Sequence, residues 1–114
     1  MRKATTMVAL IALLTIGAAG AVYAATIEGN ANDNYLRETC GTDTMYGRAG
    51  DDVLDADECG SDFEVMYGHN GRDLLLAADG DARDILSAGR GFDTCVVDDR
   101  SESVFGSCNR VIVL

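Results

Sequence analysis

The feature that most constrains this chain is a pattern that returns about every nine residues. The stretch from Met45 to Ala56 recurs from Met66 to Ala77, with seven of the twelve aligned positions identical. Each copy reads glycine turn, aspartate, then an apolar residue two places on. With the aspartate numbered position 6, that position is Asn34, Asp43, Asp52, Asp62, Asp73, Asp84 and Asp93. The apolar residue, position 8, is Ile27, Leu36, Met45, Leu54, Met66, Leu75, Leu86, Cys95, Val104 and Val113. A spacing of nine falls on no fixed face of a helix, and the turns recur too often for long helices. Strands of about three residues, each with one inward apolar side chain and joined by Gly/Asp turns, satisfy it. The expected fold is all-β: a parallel β-roll, or β-solenoid.

Two intervals break the period. The spacing is 12 before Met66 and 11 before Leu86. The first reads as an insertion that adds Phe63-Glu64 and a neighbour, the second as two residues between Leu76 and Ala82. Insertions in repeat arrays map to loops. Position 4 is Gly41, Gly50, Gly60, Gly71 and Gly91, with Asn32 and Ala82 as exceptions, so a backbone of positive φ is expected there.

Two units make one coil, so alternate units stack. One stack carries Asn34, Asp52, Asp73 and Asp93; the other carries Asp43, Asp62 and Asp84. Stacked strands lie about 4.8 Å apart. This register puts Cys40 and Cys59, both at position 3, on neighbouring rungs within disulfide reach. Cys95 and Cys108 are then left to pair. The spacings 19, 36 and 13 between the four cysteines contain no C-x-x-C pair, which argues against zinc. The second disulfide is expected to fold the tail back as a C-terminal cap, beginning at about residue 96, on a domain stapled by its cysteines.

The N-terminus sets the compartment. Arg2 and Lys3 precede an uncharged apolar run from Met7 to Ala21, and Val22-Tyr23-Ala24 offers small residues at a cleavage site. Residues 1–24 are expected to be a secretory signal peptide, leaving one domain of residues 25–114, secreted and not inserted in a membrane. An oxidising compartment suits two disulfides. The remainder holds seven arginines and no lysine against 19 acidic residues, a net charge of −12. Such a chain repels nucleic acid and attracts cations.

These repeats resemble those of RTX (hemolysin-type) calcium-binding proteins, whose consensus is G-G-x-G-x-D-x-U-x with U a large apolar residue. The resemblance is best from Gly47 to Asp55 and from Gly68 to Leu76, and it spans about Ile27 to Cys95. It implies a β-roll in which Ca2+ lies between stacked turns, held by position-6 aspartates and by turn carbonyls. Carried onto this sequence, the ligands are Asp52, Asp73 and Asp93 on one side and Asp43 and Asp84 on the other, with Asp51 as an additional one. The turn backbone is Gly47, Gly50, Gly68, Gly71 and Gly91. The implied function is a secreted calcium-binding β-roll that the ion orders. The chain departs from the consensus where Asn30, Arg48, Glu58 and His69 replace the second glycine. It departs again where Glu38, Asp57, Asp79 and Ala88 replace the first. Arginines at 48, 72, 83 and 90 sit in turns and could pair with the aspartates in place of an ion. The alternative is therefore a metal-independent structural or adhesion solenoid, in which the aspartates cap turns by accepting backbone N–H groups.

Other chemistry has less support. An EF-hand reading from Asp55 fails because its twelfth position is Met66 and no helices flank it. His69, the single histidine, occupies a turn, and nothing supplies a nucleophile elbow or oxyanion loop, so an enzyme is not expected. Tyr46 and Tyr67 recur at position 9 and are expected to stack on the outer face.

Overall fold

Alternation within each short strand decides what faces inward. Side chains two apart share a face of a strand, so the position-6 residue, the position-8 residue and the residue after position 9 all point into the roll. The computed structural model describes residues 13–16, 24–56, 63–80, 84–98, 103–105 and 108–114. Its strands are β1 (Leu13–Ile16), β2 (Ala25–Glu28), β3 (Tyr35–Arg37), β4 (Thr44–Tyr46), β5 (Val53–Asp55), β6 (Val65–Tyr67), β7 (Leu74–Ala77), β8 (Ile85–Ser87), β9 (Asp93–Val97), β10 (Ser103–Phe105) and β11 (Cys108–Val113).

The strands form two sheets, ordered β1-β2-β4-β6-β8-β10 and β11-β9-β7-β5-β3. The chain alternates between them, so each pair of units completes one coil. All pairings are parallel except β1 with β2, which is antiparallel. The register is the one the period predicts. Ile27 lies opposite Met45, Met45 opposite Met66, and Met66 opposite Leu86. In the other sheet Leu36, Leu54, Leu75 and Cys95 follow one another. This is a parallel β-solenoid, and its position-8 side chains from Ile27 to Cys95 are at most 1 % exposed. Beside them, Ala56, Ala77 and Ala88 fill the narrow corners.

Two assignments shift. Glu64, not Asp62, takes the place two residues before Met66: it is 0 % exposed, and its carbonyl accepts the Ile85 N–H at 3.0 Å. The extra residues therefore precede Glu64, where Asp62 lies outside the described residues. The inward acid stands two residues before the inward apolar residue in every unit, and Glu64 stands two residues before Met66, whereas Asp62 stands four before it. At the far end Val111, not Val113, faces Cys95, and Val113 faces Val97. A bulge between Cys108 and Arg110 and a shorter last connection cause this slip.

The tail continues the coil, with β10 on β8 and β11 on β9. The Cys95–Cys108 disulfide, Cα–Cα 5.9 Å, ties this terminal layer to β9. Cys40 is also disulfide-bonded; the Cys59 half of the predicted pair lies outside the described residues. Because the core is one residue wide per strand, Leu54→Ala is expected to destabilise by about 2–5 kcal/mol, measured by urea unfolding.

Candidate metal centre

The inward position-6 residues line the two long edges of the roll, where the chain turns between sheets. On the first edge they form a ladder of hydrogen bonds between coils. The Asn34 N–H donates to Asp52 Oδ1 (2.8 Å), the Asp52 N–H to Asp73 Oδ1 (2.9 Å), and the Asp73 N–H to Asp93 Oδ1 (2.8 Å). The ladder ends where the Asp93 N–H donates to Asn109 Oδ1 (2.8 Å). Asn109 lies two residues before Val111, so it is the position-6 residue of the shifted last unit. At the other end the side chain of Asn34 accepts the Asn30 N–H (2.8 Å). Three aspartates are thus bracketed by two neutral asparagines.

Each of these aspartates uses one oxygen for the ladder and leaves the other. Oδ2 of Asp52, Asp73 and Asp93 is buried and has no hydrogen-bond partner. Those of Asp52 and Asp73 point at the turn backbone of their own unit. A Cβ placed on Gly47 would stand 2.8 Å from Asp52 Oδ2 and 2.9 Å from the Gly68 carbonyl oxygen. At Gly68 the same point is 2.6 Å from Asp73 Oδ2 and 2.7 Å from the Ala88 carbonyl oxygen. The missing side chain of each first glycine thus leaves a cradle on which a carboxylate and a carbonyl oxygen converge. Oxygen donors of this kind suit a calcium ion, which binds at about 2.3–2.6 Å.

Burial dominates the electrostatics. It raises the carboxyl of Asp52 to about 7 and that of Asp73 to about 8, against the lowering effect of the ladder hydrogen bond each accepts. Asp93 is raised for the same first reason. Neighbouring carboxylates add to the shift, Asp33 and Asp51 at Asp52, and Asp52, Asp93 and Asp51 at Asp73. Asp51 itself stands outside this cradle. It is exposed and forms an outer rung, its Oδ1 accepting the Arg72 N–H at 2.9 Å while its own N–H donates to Asp33.

The family model of the RTX calcium-binding nonapeptide repeat matches residues 41–58 and 60–95, in four copies. Residues 41–95 are RTX repeats. No curated protein and no solved structure matches the chain. Its RTX turns keep the conformation the repeat requires: Gly50, Gly71 and Gly91 have φ of 94°, 110° and 108°. Arg48 and His69, which replace the second glycine, also sit at positive φ, 74° and 69°. Arg48 does not neutralise an RTX aspartate. Its guanidinium pairs with Glu28 at 2.9 Å and lies 5.0 Å from the Tyr46 ring centroid. Tyr46 and Tyr67 stack at 5.1 Å, as their position predicts, and His69 joins them at 6.0 Å.

The second edge is built differently. Asp43 has both oxygens engaged: Oδ1 accepts the Ala25 N–H (3.0 Å) and the Thr39 hydroxyl (3.0 Å), and Oδ2 accepts the Thr39 N–H (2.7 Å). This rung is the turn cap of the metal-independent reading. The next two rungs are Glu64 and Asp84, linked by the Glu64 N–H to Asp84 Oδ1 (2.9 Å). Together with Asp79 they offer three carboxylate oxygens within 4.8 Å of one another. Burial, then the carboxylates of Asp84 and Glu38, push Glu64 up to about 10. Sequence reading included Asp84 but not Glu64 or Asp79; an acid two residues before an inward apolar residue was the available signal for Glu64.

Two predictions test this geometry. Gly68→Ala puts a methyl into the cradle against Asp73 Oδ2, and is expected to destabilise by about 1–3 kcal/mol in urea unfolding. The pH dependence follows from the raised carboxyls. A folded-state pKa above the unfolded value means that the folded protein holds extra protons between about 4 and 8. Without metal, stability is greatest below the unfolded value and falls as pH rises through about 7 to 8. Urea midpoints in chelator are therefore expected to be higher at pH 5 than at pH 8.

Proposed function

We propose that this protein is an exported calcium-binding β-roll, without catalytic activity, in which Ca2+ held along the first edge orders the turns. The observation that carries the reading is the set of three buried Oδ2 atoms of Asp52, Asp73 and Asp93, unmatched by any hydrogen-bond donor. Leaving an ionised carboxylate half-satisfied in the interior is costly. A cation between stacked turns removes that cost and the repulsion along the ladder together. Two of the three rungs carry the glycine cradle, at Gly47 and Gly68, so Asp52 and Asp73 are the stronger ligands. Asp93 has Ala88 in the corresponding place.

The ordering is ion-linked. Calcium binds the folded turn and not the unfolded chain, so it stabilises by mass action. Neutralising the aspartates also releases the protons they would otherwise hold, which couples binding to pH. Affinity in the range of extracellular modules, roughly 0.1–1 mM, would match a site that fills on export. The basic and apolar N-terminal segment supports export, and the disulfides fit the same compartment.

A calcium titration of the full disulfide-bonded protein, followed by circular dichroism and melting temperature with magnesium as control, tests the reading. A calcium-specific rise in Tm is expected, and Asp73→Asn should remove most of it. That substitution keeps the Oδ1 acceptor for Asp52 while removing the charge at Oδ2. No calcium-specific shift up to about 10 mM would leave the metal-independent solenoid, which the closed Asp43 rung exemplifies, as the better description.

A further inference from the structure

We infer that the C-terminal end of the roll is a docking surface for a second copy of this chain, joined tail to tail by antiparallel pairing of β11 with β11 of the second copy. The surface begins where the core is cut open. Val111 and Val113 continue the inward row of β9, opposite Cys95 and Val97. Cys95 is 0 % exposed and Val97 1 %, whereas Val111 is 46 % and Val113 37 % exposed. The last coil thus presents core residues with no further coil upon them. Ile112 and Leu114 are exposed beside them.

The backbone at this end is open as well. β10 and β11 are the terminal strands of the two sheets. The Leu114 N–H donates to the Val97 carbonyl at 2.9 Å. Successive residues of a strand turn their backbone groups to opposite sides, so Val111 and Val113 turn their N–H and C=O groups to the free edge. β11 is six residues long, against three to five in the repeat strands. A monomer blunts a long edge with charge, proline or a covering segment. The chain has no proline, and residues 103–114 hold no acid and one cation, Arg110, in a chain of net charge −10. Repulsion between copies is therefore weakest here. The Cys95–Cys108 disulfide holds the edge in place, so little freedom is lost on pairing.

The two ends of the roll decide the direction. Head to tail, β10 and β11 would lie parallel on β2 and β3, and the Asn109 N–H would arrive at Asn34. The Asn34 side-chain oxygen is already turned to the Asn30 N–H, and its amide nitrogen donates to Asn30 Oδ1. Its other branch is thus a donor, where each ladder aspartate presents a second oxygen. β1 also lies on β2; on the export reading this cover is removed, but Asn34 remains. Tail to tail, a twofold axis normal to the sheets continues both of them at once, and the contact closes as a dimer. The antiparallel pairing of β1 with β2 shows that a terminal strand of this roll accepts such a partner. Centred on Ile112, the register sets Val111 opposite Val113 of the second copy. Inward side chains then meet inward ones, and the free-edge N–H and C=O groups are paired.

The test is sedimentation velocity of the full disulfide-bonded protein over a concentration series, with edge variants. Wild type is expected to pass from monomer to dimer and stop there. Val111→Pro deletes an N–H that faces the free edge, so it should keep the monomer's Tm and weaken dimerisation at least tenfold. Val113→Lys, which adds charge to the edge and leaves the backbone alone, should do the same. Ile112→Cys reads the register. In an antiparallel pair a residue that faces itself has its Cα about 4.5 Å from that of its copy, within disulfide reach. It should crosslink at least tenfold faster than Arg110→Cys, two residues away on the same face. Four outcomes would overturn the proposal: a wild type still monomeric at about 0.5 mM, growth past the dimer, wild-type dimerisation in both edge variants, or equal crosslinking of the two cysteine variants.

Discussion

The structure depends on one contact repeated along the first edge: an inward aspartate oxygen accepting the backbone N–H of the neighbouring coil's position-6 residue. Strands of three residues supply few ladder hydrogen bonds, and each coil meets only its neighbours. The side-chain bond extends the pairing past the strand end, into the turn, where the backbone would otherwise lack a partner. It also fixes which oxygen is spent. Oδ1 is spent on register, and Oδ2 is left facing the turn. A ladder of carboxylates therefore carries a built-in requirement for positive charge or for protons. At the ladder's ends Asn109 accepts the Asp93 N–H in the same way without a charge, and Asn34 turns its side-chain oxygen to the Asn30 N–H of its own turn.

The two edges resolve that requirement in different ways. On the first, glycine at Gly47 and Gly68 keeps space beside Oδ2. On the second, Asp43 is closed by Thr39, and the coils after it carry a buried acidic cluster. The difference follows from the lengths of the connections. Coil spacings of 21 and 20 residues, in place of 18, arise where the inserted residues stand on the second edge. Tight nine-residue units hold the first edge to a single glycine-turn geometry. The longer second-edge connections can bring a residue such as Asp79 back towards Glu64 and Asp84.

Most of the fold was legible in the sequence, because a single apolar residue at fixed spacing permits few architectures. The period placed the core from Ile27 to Cys95 and the two stacks, and the Cys95–Cys108 pairing followed by elimination. It failed where two residues of one chemistry competed for one position. Asp62 and Glu64 both precede Met66 with the same strand parity, and only the placing of the inserted residues separates them. Val111 and Val113 are both apolar and share parity, so only the actual length of the last turn decides between them. The site was less legible than the fold. Asp43 and Asp52 are the same residue at the same position of the repeat. What distinguishes them is whether a neighbour such as Thr39 satisfies the second oxygen, which depends on the local turn and not on the period.

The same distinction resolves the loss of consensus glycines. Replacement of the second glycine looks damaging, since Arg48 and His69 must adopt a left-handed backbone that costs roughly 1–2 kcal/mol each. Yet their side chains leave the cradle alone. Arg48 is exposed, pairs with Glu28 and covers the Tyr46 ring, while His69 extends the Tyr46–Tyr67 stack. Those outer contacts offset part of the backbone cost. The first glycine is different, because its missing Cβ is the space on which Oδ2 and a carbonyl oxygen converge. A turn can therefore lose its second glycine and remain an oxygen cradle, whereas a side chain at the first position closes it. By that criterion the degenerate first-edge repeats from Gly47 to Asp52 and from Gly68 to Asp73 are intact where it matters, and the first-edge turn at Ala88 has changed in kind.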